Sequence, residues 1–170
     1  MKYLADTHIL LWAIEDDEKL PAAARDIFLD EKSEIYYSFA NIWEVAIKHS
    51  LNKGGVPFLA EQFNILCARS GYLQLMTKNN HAIAVESLCY DKENAPREHR
   101  DPFDRLLLAQ AKSEKMGFIT HDELIMFWVL DDRCAGAICS TGIFVYDDSL
   151  LTIQNGEEIY LEMFHKINIL

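Results

Sequence analysis

No stretch of this 170-residue chain is apolar for long enough to cross a bilayer, which takes about 20 consecutive apolar residues. The apolar run at the N-terminus carries Lys2 and meets Asp6, so no signal-peptide core follows and a cytoplasmic location is expected. Cysteine is scarce. Cys67, Cys89, Cys134 and Cys139 form no C-x-x-C pair, which excludes a disulfide framework and leaves free thiols in a reducing compartment. The six histidines include no H-E-x-x-H zinc motif. No glycine-rich phosphate cradle is present, and no serine or cysteine stands out as a nucleophile.

Positive charge is short as well. Sixteen Lys and Arg face twenty-seven Asp and Glu, a net charge of −11. That balance argues against a basic nucleic-acid footprint. A carboxylate cluster that binds divalent cations would invert the local field, and an acidic surface also suits a basic protein partner.

Half of the residues are apolar and 25% are charged. Size and composition fit one compact globular domain over residues 1–170. There is no internal repeat and no low-complexity segment.

The stretch from Glu98 to Glu123 organises the chain. Asp101 is a good N-cap and Pro102 a good first helical residue. Phe103, Leu107 and Ala111 recur at four-residue spacing as a buried stripe, and Gly117 is expected to end the helix in the left-handed conformation. Phe118 to Thr120 reads as a short buried strand with Asp122 just past its carboxyl end. In an open parallel sheet that edge is where ligands bind. Asp104, in the first helical turn, points from the same edge.

The N-terminal half repeats the pattern. Lys2 to Ala5 is a strand with Asp6 at its end, and Ile9, Trp12 and Ala13 have helical spacing beyond it. A second helix opens at Leu20-Pro21 and runs to about Asp30. Ile35 to Tyr37 is the next strand, and Ser38 caps a helix from Phe39 to about Leu51. Ile42, Trp43, Ala46, Ile47 and Ser50 are expected to face the core there, with Asn41, Glu44 and Lys48 as a polar stripe beside them. Further on, a helix before Ser70 turns Phe63, Leu66 and Cys67 inward, Tyr72 to Met76 is a strand, and Asn80 to Leu88 is a helix. Leu124 to Leu130 reads as helical, Ala135 to Tyr146 as β-rich, and Glu157 to His165 as a helix.

Each acid alone has a structural explanation: Asp101 and Asp122 as helix caps, Glu44 as an exposed partner of Lys48. His8, His99 and His121 each sit near an acid, with surface or capping roles as the simplest account. Together, Asp6, Glu44, Asp104 and Asp122 share one context at the carboxyl edge of the strands. Carboxylates crowded in this way repel one another unless a cation intervenes. Hard divalent ions such as Mg²⁺ or Mn²⁺ suit oxygen ligands and leave places for water and phosphate. Metal-assisted attack of water on a phosphodiester fits that set.

The motifs resemble those of the PIN domain, and within it the VapC-type toxins of bacterial toxin–antitoxin pairs. Tyr3 to Trp12 is similar to the family's opening strand with Asp6 as its first acid. Ser38 to Lys48 resembles the second motif with Glu44, and His99 to Ala111 resembles a signature of one VapC-like branch with Asp104 as the third acid. Phe118 to Asp122 resembles the last motif, and Leu51 to Pro57 also looks like that branch. The resemblance spans residues 1–128, while 131–170 form an extension beyond the pattern. It implies a three-layer α/β/α sandwich around a parallel sheet, with that C-terminal segment added. It also implies a Mg²⁺- or Mn²⁺-dependent endoribonuclease, a homodimer and a cognate antitoxin protein. Asp6, Glu44, Asp104 and Asp122 would hold the metal or activate water. Asp101 would be an accessory acid, with Thr7, Asn41, Arg100, Arg105 and Thr120 positioning the acids or the RNA phosphate. The alternatives are a PIN-like nuclease of RNA processing or repair, and a non-catalytic PIN-like protein-binding module.

Overall fold

The computed structural model describes residues 1–52, 55–129, 137–139 and 143–146 of the chain. Four parallel strands form its centre: β1 (Lys2–Ala5), β2 (Glu34–Ser38), β3 (Leu73–Leu75) and β5 (Gly117–Thr120). Two more, β7 (Ala137–Cys139) and β8 (Ile143–Tyr146), extend the sheet antiparallel beyond β5. The order across the sheet is β3-β2-β1-β5-β8-β7.

Alternation along the strands sends side chains to two cores. Leu4, Leu75 and Phe118 pack on one face with Leu107, Leu108 and Ala111 of helix α6 (Pro102–Glu114). Ala5, Ile35, Tyr37 and Ile119 pack on the other, against α1 (Thr7–Glu15), α2 (Ala22–Leu29), α3 (Phe39–Ser50) and α4 (Ala60–Arg69). Helix α5 (Asn79–Ala84) packs on α6. The result is a three-layer α/β/α sandwich, and strands buried on both faces are what a parallel sheet demands. Among the described residues, no helix is long and apolar enough to cross a membrane. Cys67 and Cys89 are free.

Strand β1 lies between β2 and β5, so the chain leaves it in one direction toward β2 and β3 and returns to its other side at β5. That reversal opens a crevice at the carboxyl ends of β1 and β5. Asp6 follows β1 directly and Asp122 lies two residues past β5.

Several sequence expectations change. The inward face of α3 is Ala40, Asn41, Glu44 and Val45, whereas Trp43 is 47% exposed and Ala46 and Ser50 face solvent. The polar stripe is the buried one. Its groups are satisfied by hydrogen bonds from neighbouring elements, a possibility that apolar periodicity does not register. Helix α6 ends at Lys115, which takes the left-handed conformation at φ 53°, and Gly117 opens β5 instead. The helix expected at Leu124–Leu130 is a 3₁₀ turn over Glu123–Phe127, followed by strand β6 (Trp128–Val129). Strand β6 pairs antiparallel with β4 (Cys89–Tyr90), two residues for which the sequence suggests no element. The aromatic and β-branched residues of that run favour extended backbone once a partner is available. Strand β3 is shorter than Tyr72–Met76, and the helix expected over Asn80–Leu88 gives way to a 3₁₀ turn at Val85–Ser87. Ala137–Cys139 and Ile143–Tyr146 add edge strands as the β-rich pattern suggested; the helix expected at Glu157–His165 lies outside the described residues.

Candidate metal centre

A cavity of about 470 Å³ opens at the crevice, lined by Asp6, Glu44, Asp101, Asp104 and Asp122. His8, Trp12, His99, His121 and Leu124 complete its wall, with Lys48, Arg97, Glu98 and Arg100 at the charged side. The four acids singled out by sequence therefore share one cavity, reached from β1, α3, α6 and the turn after β5.

Asp6 is 5% exposed. It sits at the N-cap position of α1 but makes no side-chain cap. Its Oδ2 instead accepts a hydrogen bond from Thr120 Oγ1 at 2.8 Å. Thr120 Oγ1 also accepts the Asp122 N–H at 3.1 Å, tying the ends of β1 and β5 together. Burial pushes the Asp6 carboxyl above its ordinary pKa, and the nearby Glu44 charge adds to the rise, while His8 and the Thr120 hydroxyl oppose it.

Glu44 is held from both sides. Its Oε2 accepts from Thr7 Oγ1 at 2.5 Å, and its Oε1 lies 2.5 Å from Lys48 Nζ. The Lys48 partnership expected from the i,i+4 spacing is present, but Glu44 is 3% exposed rather than on the surface. Asn41 supports the arrangement: its Nδ2 donates to Thr7 Oγ1 at 3.0 Å and to the Ala5 carbonyl at 3.2 Å, and its Oδ1 accepts the Ser38 N–H. Thr7, Asn41 and Thr120 are fully buried and act on the acids rather than on the cavity.

Asp104 and Asp122 converge on His99. The imidazole Nε2 lies 3.0 Å from Asp104 Oδ2 and 3.4 Å from Asp122 Oδ2. Among the described residues, this trio offers ligand atoms all within 4.8 Å of one another, the spacing of a metal-binding group. Burial raises the Asp104 carboxyl to about 7; His99 opposes the rise, and the Asp6 and Asp101 charges reinforce it. Hydrogen bonding to Asp104 pushes the His99 pKa up, but Trp128 opposes a second ring proton because its indole N–H already points at Nδ1. A raised Asp104 therefore stands beside a neutral His99.

Capping and site roles coexist. Asp101 caps α6 through the Phe103 N–H at 2.8 Å, and Asp122 Oδ1 caps the 3₁₀ turn through the Leu124 N–H at 2.8 Å while Oδ2 faces His99. Arg100 lines the cavity and pairs with Glu98 at 2.5 Å. Arg105 does not line it: one position past Asp104 on the helix, its guanidinium lies 5.4 Å from the Trp128 ring centre, behind the site. Its Nε is buried and has no hydrogen-bond partner. Sequence reasoning undervalued His99, which is 7% exposed between two of the acids. The available signal was its place two residues before Asp101, next to the helix that carries Asp104.

The donor set is carboxylate-rich and mutually repulsive, with Asp6 and Glu44 buried and charges left to be offset at Asp6 and Asp104. That is the chemistry a hard divalent cation satisfies.

A family model described as "PIN domain" matches residues 3–125. No protein of curated function matches the chain. Among solved structures, a chain of VapBC2 from Rickettsia felis, determined bound to a DNA fragment from the VapBC2 promoter, has a similar fold. The TM-score is 0.50 at 17% identity, covering 72% of this chain and 89% of that one.

Proposed function

Because this chain belongs to the PIN domain family, we propose that it is a Mg²⁺- or Mn²⁺-dependent endoribonuclease and the toxin of a toxin–antitoxin pair. The reading rests above all on one observation: acids from β1, α3, α6 and the end of β5 line a single cavity, and burial and neighbouring charge raise Asp6 and Asp104. Asp6, Glu44, Asp104 and Asp122 would hold the ion, which lowers the pKa of bound water and offsets charge on a phosphate.

The remaining residues prepare that site. Thr120 fixes Asp6 against Asp122, and Thr7 with Asn41 fixes Glu44. Lys48, Arg97 and Arg100 give the wall of an otherwise acidic cavity a few positive charges suited to RNA phosphates. The substrate is single-stranded or structured RNA, whose phosphates these cations would meet.

The partner reading draws on the likeness to a VapBC2 chain, which supports the fold. An antitoxin would reach the acids with Arg or Lys, by charge-assisted hydrogen bonds. A second copy of this chain would complete a homodimer, and the domain, with its C-terminal extension at 131–170, would act in the cytoplasm. Incubation of the purified chain with single-stranded RNA should give internal cleavage with Mg²⁺ or Mn²⁺ and none in EDTA. Equal cleavage in EDTA, or none with either metal, would overturn the proposal.

A further inference from the structure

Asp104, Asp122 and His99 look at first like a His-Asp-Asp metal triad, because their ligand atoms lie within 4.8 Å of one another. The other ring nitrogen of His99 argues otherwise. Trp128 Nε1 lies 3.1 Å from His99 Nδ1. An indole N–H is a donor only, so Nδ1 must be the acceptor and carry no proton. The ring proton of the neutral imidazole is then on Nε2, the atom that faces Asp104 at 3.0 Å and Asp122 at 3.4 Å. A histidine that ligates a metal has the opposite polarity: its far nitrogen carries a proton and gives it to a carboxylate, carbonyl or water.

Trp128 is not free to turn away. It is 8% exposed, its ring centre is 4.9 Å from that of Tyr90, and Arg105 stacks over it. The β4–β6 pairing sets Tyr90 opposite Trp128. The same pair packs into the core beside Leu107 and Phe118, which fixes the indole against His99.

We propose that His99 is a positioning residue and not a metal ligand: Trp128 locks it as the Nε2–H tautomer, and it clamps Asp104 and Asp122 by donating to both. The inference rests on the metal-site reading for what the clamp is for, but the clamp itself exists without metal. Two carboxylates that repel each other, one half-buried and one more exposed, are kept at a shared spacing by a neutral donor, and a divalent ion finds them already gathered.

The test uses the full chain with ¹⁵N-labelled histidine, in long-range ¹H–¹⁵N spectra, with the His99 signal assigned by its loss in His99→Gln. Metal-free and Mg²⁺-loaded protein should both show His99 protonated at Nε2 and bare at Nδ1. A proton on Nδ1 with a bare Nε2, in either state, overturns the proposal. Trp128→Phe, which keeps a ring and deletes the N–H, should populate the other tautomer; an unchanged spectrum from a folded Trp128→Phe also overturns it. Manganese binding followed by electron paramagnetic resonance supplies the second arm. The wild type should show no directly coordinated nitrogen, and His99→Leu should bind Mn²⁺ about 10–100-fold more weakly, as for loss of an outer-shell partner. His99→Gln, which retains a donor, should recover most of that loss. A coordinated nitrogen in the wild type, or equal affinity in wild type and His99→Leu, overturns the clamp. If neither ion binds the wild type at all, the metal reading fails, and the metal-free spectrum still decides the tautomer.

Discussion

Thr120 donates its hydroxyl proton to Asp6 Oδ2 at 2.8 Å while the same oxygen accepts the N–H of Asp122 at 3.1 Å. One side chain thus joins the acid that ends β1 to the acid that follows β5. Thr120→Val keeps the shape and removes both bonds. It leaves a buried carboxylate oxygen and a peptide N–H without partners, a cost of about 1–3 kcal/mol. Melting should fall by roughly 2–4 °C for each kcal/mol in a chain of this size. Thr120→Ser should restore most of the loss, and a Thr120→Val protein that melts like the wild type would show the bridge to be idle.

Asp104→Asn replaces a charged ligand by an amide of the same size. Outer-shell changes at metal sites cost about 10–100-fold, so loss of a ligand should cost more than roughly 100-fold in metal-dependent RNA cleavage. The fold should persist, because the Asp104 side chain touches His99 at the cavity and not the core. The check is the cleavage rate at matched metal, alongside the melting curve in EDTA. Wild-type cleavage in the variant would remove Asp104 from the site.

Much of this was readable in the chain. The strand-then-acid pattern at Asp6 and Asp122 and the Asp101-Pro102 helix start map onto β1, β5 and α6 as expected. The buried face of α3 was not, because Asn41 and Glu44 are polar and their burial depends on Thr7, Ala5 and Lys48, which arrive from elsewhere in the fold. Strands β4 and β6 were missed for a related reason. Two-residue strands have no periodicity to detect, and each exists only through the other. His99 reads as a surface or capping residue in the sequence because its importance lies in what Trp128 does to its far nitrogen. Arg105 lies off the cavity because adjacency to Asp104 in sequence turns it about 100° around the helix, onto Trp128.

Lys48 is the resident cation of Glu44, with Nζ 2.5 Å from Oε1. Lys48→Met leaves Glu44 buried and charged, and breaking a buried pair in this way is destabilising, up to about 3–5 kcal/mol where no solvent reaches it. Lys48 is 26% exposed, so the smaller part of that range is expected. Added Mg²⁺ should stabilise Lys48→Met more than the wild type, since the ion takes over the neutralising role. The double variant Lys48→Met, Glu44→Gln should regain most of the metal-free stability. Melting of all three proteins in EDTA and in Mg²⁺ reads this directly; equal metal responses would place Glu44 outside the ion's reach.

The metal-free protein should lose stability as pH rises toward neutrality. Asp104 is raised from 3.8 to about 7, with burial as the main cause, and Asp6 is raised for the same main reason. A raised carboxyl keeps its proton in the folded state where the unfolded chain has released it. Its contribution is therefore complete below the unfolded value of 3.8 and is lost as pH climbs through about 7. Asp91, Glu98 and Glu114 are lowered, chiefly by side-chain hydrogen bonds from Asn94, Arg100 and Lys78 respectively, and have the opposite sign. They lie near the surface, their contribution is lost only on acidification, and they do not mask the fall above pH ~5. Metal binding requires deprotonated carboxylates, so Mg²⁺ should raise the melting temperature little at roughly pH 5 and much more at roughly pH 8. Asp104→Asn should flatten the EDTA profile and blunt the Mg²⁺ response together. A wild-type melting temperature in EDTA that rises from pH ~5 to ~8, with the same Mg²⁺ gain at both ends, would mean that the acids of this cavity neither repel one another nor await a cation.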